Sequence, residues 1–296
     1  FQARFRREAQ SAASLNHPNI VAVYDTGEEI VSDATNRSIA IPYIVMEYVE
    51  GHTVKELISD GTAVPINEAI EIVSGVLSAL QYSHDNHLVH RDIKPSNIML
   101  DSYGKPVLAD FGVASKVGQL EVGAFDGFSV LWAPPEQQDV NSPASPLQDV
   151  WALAATTWTF VTGRSPFEDP IGDNTTVAVA MRVRSGRLRG VARADVPEEL
   201  DEVLRAAMSV DPTRRTRSAL AFAQSLQGIQ RLAGLPVTPI EVRDAPHMPR
   251  PSVPGPASPA GFPVPVPSQG EGTRPRGASA AQDATIRSGV GFYFSE

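Results

Sequence analysis

The chain has 296 residues, enough for about two domains of ordinary size or for one larger domain followed by a tail. Its hydrophobic fraction of 42% can supply a core, and its net charge of −9 argues against a surface for nucleic acid or anionic membranes. The chain contains no cysteine, which excludes disulfides, thiolate catalysis and cysteine-ligated zinc and suits a reducing compartment.

The apolar runs of the sequence indicate neither a signal peptide nor a membrane span. The first residues are charged, and the most apolar run, Val150–Gly163, is shorter than the roughly 20 residues that a membrane helix needs. We therefore predict a buried core helix at this run and a cytoplasmic protein, tethered to a membrane only if a span follows this chain.

Residues 1–15 are predicted to form a helix. One face carries positions that recur at steps of three and four: Phe1, Phe5, Glu8, Ala12 and Leu15. Glu8 thus lies within an apolar stripe, where a carboxylate needs a cationic partner because its burial alone is costly. That partner is either Arg4, one turn back on the surface, or a cation elsewhere in the fold.

The next segments are predicted as two strands and two helices. Ile20–Tyr24 and Tyr43–Tyr48 read as strands with a polar connection between them, and Thr53–Ser59 reads as a short helix. A long amphipathic helix follows Pro65, whose missing N–H is harmless at a helix start. Its apolar face is formed by Ile66, Ala69, Ile70, Val73, Val76, Leu77 and Leu80.

Two histidines, His84 and His87, follow this apolar face. A pair of histidines before an acid could suggest a metal site, but nothing in the sequence completes a zinc ligand set. Both histidines are therefore predicted to be structural.

A hairpin is predicted where Ile98–Leu100 and Val107–Ala109 are joined by the turn-forming residues 101–105. The hairpin would bring Asn97 and Asp110, which flank its two ends, to one place. Two oxygen-bearing side chains at one place suit a hard cation such as Mg²⁺.

The polar stretch 90–97 carries the strongest chemical signal. It reads His-Arg-Asp-Ile-Lys-Pro-Ser-Asn, and an Asp-Phe-Gly tripeptide follows at Asp110. An acid at Asp92, a cation at Lys94 and an amide at Asn97, together with the acid of the tripeptide, suit phosphoryl transfer. Both motifs resemble, in order and spacing, the catalytic loop and the magnesium motif of the eukaryotic-type protein kinases.

This resemblance implies a role for each polar residue of the two motifs. Asp92 would accept the proton of the attacking hydroxyl, and Lys94 would steady the phosphate transferred from ATP. Asn97 and Asp110 would hold Mg²⁺ or Mn²⁺. A lysine two residues after the acid resembles the serine/threonine branch of the family.

The segment Ile44–Val49 resembles the last small-lobe strand and the hinge of these kinases. By that resemblance Met46 lines the back of the adenine pocket, and the backbones of Glu47 and Val49 form hydrogen bonds with adenine. Met99 would form the floor of the pocket. An ordinary buried strand is the alternative, and the sequence pattern alone does not separate the two.

The same resemblance implies that Glu8 pairs with a lysine that holds the ATP phosphates from the preceding strand. Neither that lysine nor the glycine-rich loop before it is present in this chain. We therefore expect an N-terminally truncated small lobe, with weak ATP binding and little activity from these residues by themselves.

Further residues resemble the structural framework of the family. Asp149, at the start of a predicted helix, matches the acid that anchors the catalytic-loop backbone, although a helix N-cap is also compatible. Glu136, in an Ala-Pro-Pro-Glu sequence, and Arg215 match a buried ion pair of the large lobe. The hydrophobic spine that links the lobes is matched by His90, Phe111, Ala12 and Val23.

Residues 110–136 match the activation segment of the family. They contain no threonine or tyrosine and only two serines, Ser115 and Ser129. The arginine beside the catalytic acid usually signals control by a phosphorylated residue in this segment. Because the usual acceptor is missing, we hypothesise that Glu121 or Asp126 supplies a fixed negative charge.

The composition changes after the last predicted amphipathic helix, which ends near Gly234. Of the 25 prolines, 12 lie between Pro236 and Pro275. Such a segment cannot bury enough apolar surface to compensate for the entropy lost on ordering. The predicted units are a kinase domain at 1–233, divided into a small-lobe remnant at 1–48 and a large lobe at 49–233, and a disordered tail at 234–296.

The resemblance identifies the chain as a bacterial eukaryotic-type serine/threonine kinase, most similar to actinobacterial members. It implies a bilobal α+β fold, with an incomplete β-rich small lobe and a mainly helical large lobe, that phosphorylates protein substrates and does not bind nucleic acid. One alternative is a non-catalytic pseudokinase that binds protein partners. A small-molecule kinase is a second alternative, but it would lack the Asp149 and Arg215 elements. A homodimer is left open.

Overall fold

The computed structural model describes residues 12–32, 38–59, 61, 63–111, 129–139 and 142–242. Glu8 and most of the predicted first helix lie outside these residues, which begin with a helical turn at Ala12.

Two long strands form an antiparallel ribbon at the N-terminal side of the described chain. β1, Val23–Ser32, pairs with β2, Ser38–Met46, from Val23 opposite Met46 to Ser32 opposite Ser38. The prediction of a strand at 20–24 is wrong in its bounds, because Ile20 forms only an isolated parallel bridge with Leu108. Most of the predicted polar connection forms strand. Its polar residues are accepted on both faces because none of the described side chains of this ribbon is buried.

A small three-stranded sheet carries the loops of the predicted site. β3, Gly51–Thr53, pairs with β4, Ile98–Asp101, which pairs with β5, Pro106–Leu108, all antiparallel. The turn of the β4–β5 hairpin contains Gly104 at a positive φ of 78°, a conformation that glycine adopts without strain. The predicted hairpin is therefore present, with β5 one residue earlier than expected.

Helices make up most of the remaining described chain. The predicted helix at 53–59 is shorter than expected. It spans Val54–Leu57, and Thr53 is its N-cap rather than a helical residue. No helix of the described residues is long and apolar enough to cross a membrane. The helices are α1, Val54–Leu57; α2, Ile66–Asp85; α3, Pro146–Thr162; α4, Thr176–Ser185; α5, Glu198–Ala207; and α6, Ala219–Leu232.

The hydrophobic core lies among the helices, where α2 packs against α3 and α6. Each large apolar side chain that is fully buried here contributes on the order of 1.5–3 kcal/mol. The largest of them are Trp151, Phe160, Phe167, Phe222, Ile70, Leu77 and Leu80. A small antiparallel portion and a mainly helical portion confirm the α+β class.

The first part of the predicted tail, residues 235–242, packs against the helices. The N–H of Thr238 donates to Oε1 of Gln230 at 2.8 Å, and Nε2 of Gln230 donates to the Thr238 hydroxyl at 2.7 Å. The hydroxyl of Ser78 in α2 donates to the carbonyl of Glu241. These residues thus differ from the predicted disordered tail, because helix side chains satisfy their backbone.

Candidate active site

A buried carboxylate on α3 holds the loop that precedes Asp92. The N–H groups of His90 and Arg91 donate to Oδ2 and Oδ1 of Asp149, each at 2.8 Å. Asp149 is fully buried, and Nε2 of His84 lies 2.8 Å from its Oδ2. The N-cap interpretation of Asp149 is wrong, since α3 starts earlier and Ser145 caps it. The predicted anchoring of the loop backbone is confirmed.

The carboxylate of Asp92 is the centre of a polar cluster. Its Oδ2 lies 2.9 Å from Nζ of Lys94 and accepts a hydrogen bond from Nδ2 of Asn97 at 3.0 Å. The same amide nitrogen donates to the main-chain carbonyl of Asp92 at 2.9 Å. The side chains of Lys94 and Asp92 are 16% and 14% exposed, so the carboxylate is held by its neighbours without being fully buried. A proton acceptor needs such a fixed but accessible position.

Asp110 lies two residues after β5, and its neighbour Ala109 is bonded to the backbone of Asn97. The N–H of Ala109 donates to the carbonyl of Asn97 at 2.9 Å, which continues the pairing of Ile98 with Leu108. Asp110 has a positive φ of 59°, uncommon for a residue other than glycine, and its side chain is exposed. This backbone hydrogen bond brings the residue before Asp110 to Asn97, and a joint role of the two side chains stays a prediction.

The oxygen atoms of Asn97 and Asp110 fit a hard divalent cation. Mg²⁺ is usually held by one or two carboxylates together with water and substrate phosphates rather than by an all-protein cage. The described residues contain no convergent group of three or more His, Asp or Glu side chains. The two side chains suit Mg²⁺ better than zinc, which prefers nitrogen and sulfur ligands.

His90 is a structural residue of the loop. Its Nε2 lies 2.8 Å from the carbonyl of Ala109, which can only accept, so Nε2 carries the hydrogen. Its Nδ1 then accepts the N–H of Asp92 at 3.3 Å. The rings of His90 and Phe111 lie 4.7 Å apart, as the predicted spine requires. This histidine thus fixes the backbone on both sides of the site.

An apolar surface lies beside the polar cluster. It is formed by Val21, Val49, Met99, Val107 and Ala109. The N–H of Val49 forms no hydrogen bond to the rest of the described chain, whereas the N–H of Glu47 donates to Ala22 at 2.8 Å. Met46, at the end of β2, is 39% exposed. An apolar surface of this kind suits a planar heterocycle, and the roles of these residues stay predictions.

A buried ion pair fixes the segment before α3. Arg215 donates from its two terminal nitrogens to the two carboxylate oxygens of Glu136, at 2.7 and 3.1 Å. Its guanidinium lies 5.0 Å from the ring centroid of Trp151, and it donates to the carbonyl of Leu147 at 2.8 Å. The predicted pair of Glu136 and Arg215 is confirmed.

Of the residues predicted in the activation segment, the structure describes Ser129, which begins a short 3₁₀ turn, Ser129–Leu131. The residues that lie outside the described ranges are Glu8, Ser115, Glu121 and Asp126. The hypothesis of a fixed negative charge in the activation segment stays a prediction.

Two polar partners of the site were missed by the sequence reasoning. His84 was expected to be structural, but its contact with Asp149, 65 positions along the chain, was not foreseen. The side chain of Gln137 donates to the main-chain carbonyl of Arg91 at 2.5 Å across 46 positions. No local pattern signals either contact, since both depend on how distant elements pack.

Comparison with known proteins gives a family for the chain. The family model described as protein kinase domain matches residues 1–226. A probable serine/threonine-protein kinase of Streptomyces coelicolor is 39% identical over 229 residues, 74% of this chain and 32% of the relative. PknB of Mycobacterium leprae is 37% identical over 231 residues, covering 76% and 36% of the two chains.

A relative from Bacillus gives the same result. PrkC of Bacillus subtilis, a serine/threonine-protein kinase, is 37% identical over 223 residues, 74% of this chain and 32% of the relative. The chain therefore spans about a third of the length of these curated relatives.

Proposed function

We propose that this chain, which belongs to the protein kinase family, transfers the γ-phosphate of ATP to serine or threonine hydroxyls of protein substrates. The observation that carries the proposal is the cluster of Asp92, Lys94 and Asn97, together with the hydrogen bond that joins Ala109, the residue before Asp110, to the backbone of Asn97. Relatives named serine/threonine-protein kinase support the class of acceptor residue. Because the chain spans only a third of those relatives, their further activities are not carried over to it.

In this reaction Asp92 accepts the proton of the attacking hydroxyl while the hydroxyl oxygen bonds to phosphorus and the bond to ADP breaks. Lys94, with Nζ 2.9 Å from the Asp92 carboxylate, provides positive charge where the transferred group is negative. The amide of Asn97 donates to Asp92 and keeps the carboxylate oriented. The chain thus supplies position and charge, which is most of what phosphoryl transfer needs.

Asn97 and Asp110 would hold the divalent cation through an amide oxygen and a carboxylate, with Mg²⁺ proposed and Mn²⁺ as the alternative. When bound, the cation neutralises phosphate charge. The adenine would lie against Met99 and bond to the backbones of Glu47 and Val49. The apolar surface around Val49 and the available N–H of that residue support this placement.

A non-catalytic protein of the same fold is the alternative function. The relatives are named kinases, and Asp92, Lys94, Asn97 and Asp110 are all present in the two motifs. Neither fact favours a role restricted to binding partners.

A cytoplasmic location is also proposed, and the absence of cysteine supports it. A homodimer remains a proposal that light scattering on the purified protein would test.

The direct test is phosphate transfer from labelled ATP to a generic protein substrate by the full-length protein. Asp92→Asn removes the proton acceptor but keeps the side-chain shape, so we expect activity to fall by roughly 10²- to 10⁴-fold. Asp85→Asn is the matched control, since Asp85 is an exposed acid at the end of α2 that bonds Gln81. A variant Asp92→Asn with normal activity and a normal melting curve would show that Asp92 is not the proton acceptor.

A further inference from the structure

We propose that Gln137 is a positioning residue for Asp92, acting through the peptide group that joins Arg91 to Asp92. The inference rests on the proposed kinase function and names a residue that the reaction would need outside the catalytic motifs. It starts from the short hydrogen bond, 2.5 Å, between Nε2 of Gln137 and the carbonyl oxygen of Arg91. A carbonyl only accepts, so the amide nitrogen must be the atom that faces it.

The carbonyl of Arg91 belongs to the peptide group of Asp92. Because a peptide group is planar, the direction of this carbonyl also sets the direction of the Asp92 N–H, which donates to Nδ1 of His90 at 3.3 Å. Holding the carbonyl therefore holds the backbone from which the Asp92 carboxylate projects. An error in that direction would displace the carboxylate relative to a substrate hydroxyl.

The backbone at this position needs to be held. Arg91 has a positive φ of 67°, a conformation that residues with a Cβ keep only where their surroundings enforce it. On the amino side, Asp149 accepts the N–H of Arg91 at 2.8 Å. On the carboxyl side, Gln137 donates to its carbonyl. Asp149 and Gln137 thus bind the backbone of Arg91 on its amino and carboxyl sides.

Gln137 can act as a fixed support because its neighbours are fixed. It lies in the 3₁₀ turn Pro135–Gln138. On one side Glu136 pairs with buried Arg215, and on the other Oε1 of Gln138 accepts a hydrogen bond from Arg184 of α4 at 2.8 Å. Three consecutive side chains of this turn therefore bind three separate parts of the fold. Gln137 therefore contacts the loop of Asp92 from a turn that Arg215 and Arg184 already hold in place.

The geometry predicts a selective kinetic effect. Gln137→Met removes the donor at similar volume, so we expect kcat to fall roughly 3- to 10-fold, the range of one hydrogen bond, while KM for ATP stays within about twofold. Gln137→Glu places an acceptor against the carbonyl and should lower kcat further. Gln137→Lys keeps a donor and should recover most of kcat.

The matched control is Gln227→Met. Gln227 on α6 also donates from its amide to a main-chain carbonyl, that of Thr238 at 2.9 Å, but far along the chain from the catalytic loop. This variant should melt at a temperature similar to that of Gln137→Met and keep the wild-type kcat. An equal loss of kcat in both variants would overturn the proposal, because it would show a general cost of losing a hydrogen bond.

A second measurement does not depend on activity. Hydrogen exchange at the Asp92 amide should be faster in Gln137→Met than in the wild type and unchanged in Gln227→Met. If the wild-type protein transfers no phosphate but the exchange rates differ as expected, the proposed function fails and the positioning role stands. If the wild type is active and Gln137→Met matches it in kcat and exchange, the positioning role fails and the function stands. If Gln137→Met does not fold, the test is Gln137→Lys, which keeps a hydrogen-bond donor. A folded Gln137→Lys variant with a low kcat would contradict the proposal, because the donor alone would then not be enough to position Asp92.

Discussion

The ribbon β1–β2 and the helical part of the chain use similar apolar residues in opposite ways. Ile30 on β1 is 75% exposed, whereas Ile70 on α2 is fully buried. A two-stranded ribbon with exposed side chains gains little free energy from burial, while the helices share one continuous core. The polar cluster of Asp92 belongs to the second region, because Asp149 on α3 anchors its loop. The difference shows that the helical region holds the geometry of the polar cluster.

The largest effect is expected where the helical region buries charge. Glu136→Ala leaves the guanidinium of Arg215 buried without its acid, so we expect a loss of about 3–5 kcal/mol in the free energy of unfolding, measured with urea. The control is Arg189→Ala, which removes a surface pair with Asp169 and should cost about 0–1 kcal/mol. Similar losses in both variants would mean that burial of Arg215 does not set the strength of its pair.

A matched pair of isoleucines tests the comparison itself. Ile70→Ala leaves a cavity in the core and should lower the free energy of unfolding by roughly 2–5 kcal/mol, whereas Ile30→Ala should change it by no more than about 0.5 kcal/mol. Both values come from the same urea titration. A large loss for Ile30→Ala would break the comparison, because it would reveal that the ribbon face is covered in solution.

The smallest effect is expected at the junction between the regions, where α1 begins. The N–H of Thr53 donates to the carboxylate of Glu56 at 2.6 Å, and its hydroxyl accepts the N–H of Glu56 at 3.2 Å. Hydrogen bonding of the Glu56 carboxylate with the backbone N–H of Thr53, and to a lesser extent with its side chain, holds the pKa of Glu56 below its ordinary value of 4.5. A lowered carboxyl pKa adds stability above the ordinary value, and this stability is lost as the pH falls through the folded-state pKa.

Thr53→Ala removes the side-chain part of this cap and keeps the backbone N–H. The pKa of Glu56, followed by NMR titration, should therefore rise part of the way towards its ordinary value. The variant should lose more stability at neutral pH than at acid pH. An unchanged titration of Glu56 would show that the Thr53 hydroxyl has no part in lowering that pKa.

Much of the site could be predicted because its signals are local. The spacing of Asp92, Lys94 and Asn97 and the apolar face of α2 can each be read within a short stretch of sequence. Helix α4 was not predicted, since only Val179 and Val183 are buried along it, too few for an amphipathic pattern.

Other features escaped because they depend on contacts between distant residues. The length of β1 was missed because a ribbon with both faces exposed shows no alternation of polar and apolar residues. The sequence is compatible with a helix cap at Asp149, whereas α3 starts earlier, at Pro146. The reach of Gln137 to Arg91 depends on the arrangement of the whole helical region, which no short pattern encodes.

The packed segment 235–242 has a practical consequence for dividing the chain. Gln230 is fully buried, and both ends of its amide are bonded to Thr238. A fusion junction at residue 233 would leave Oε1 of Gln230 inside the protein without the N–H of Thr238, which costs about 1–3 kcal/mol, while Nε2 keeps its contact with Asn67 at 3.4 Å. A junction placed after Val242 keeps both bonds to Thr238, so a shortened chain or a fluorescent fusion should end there.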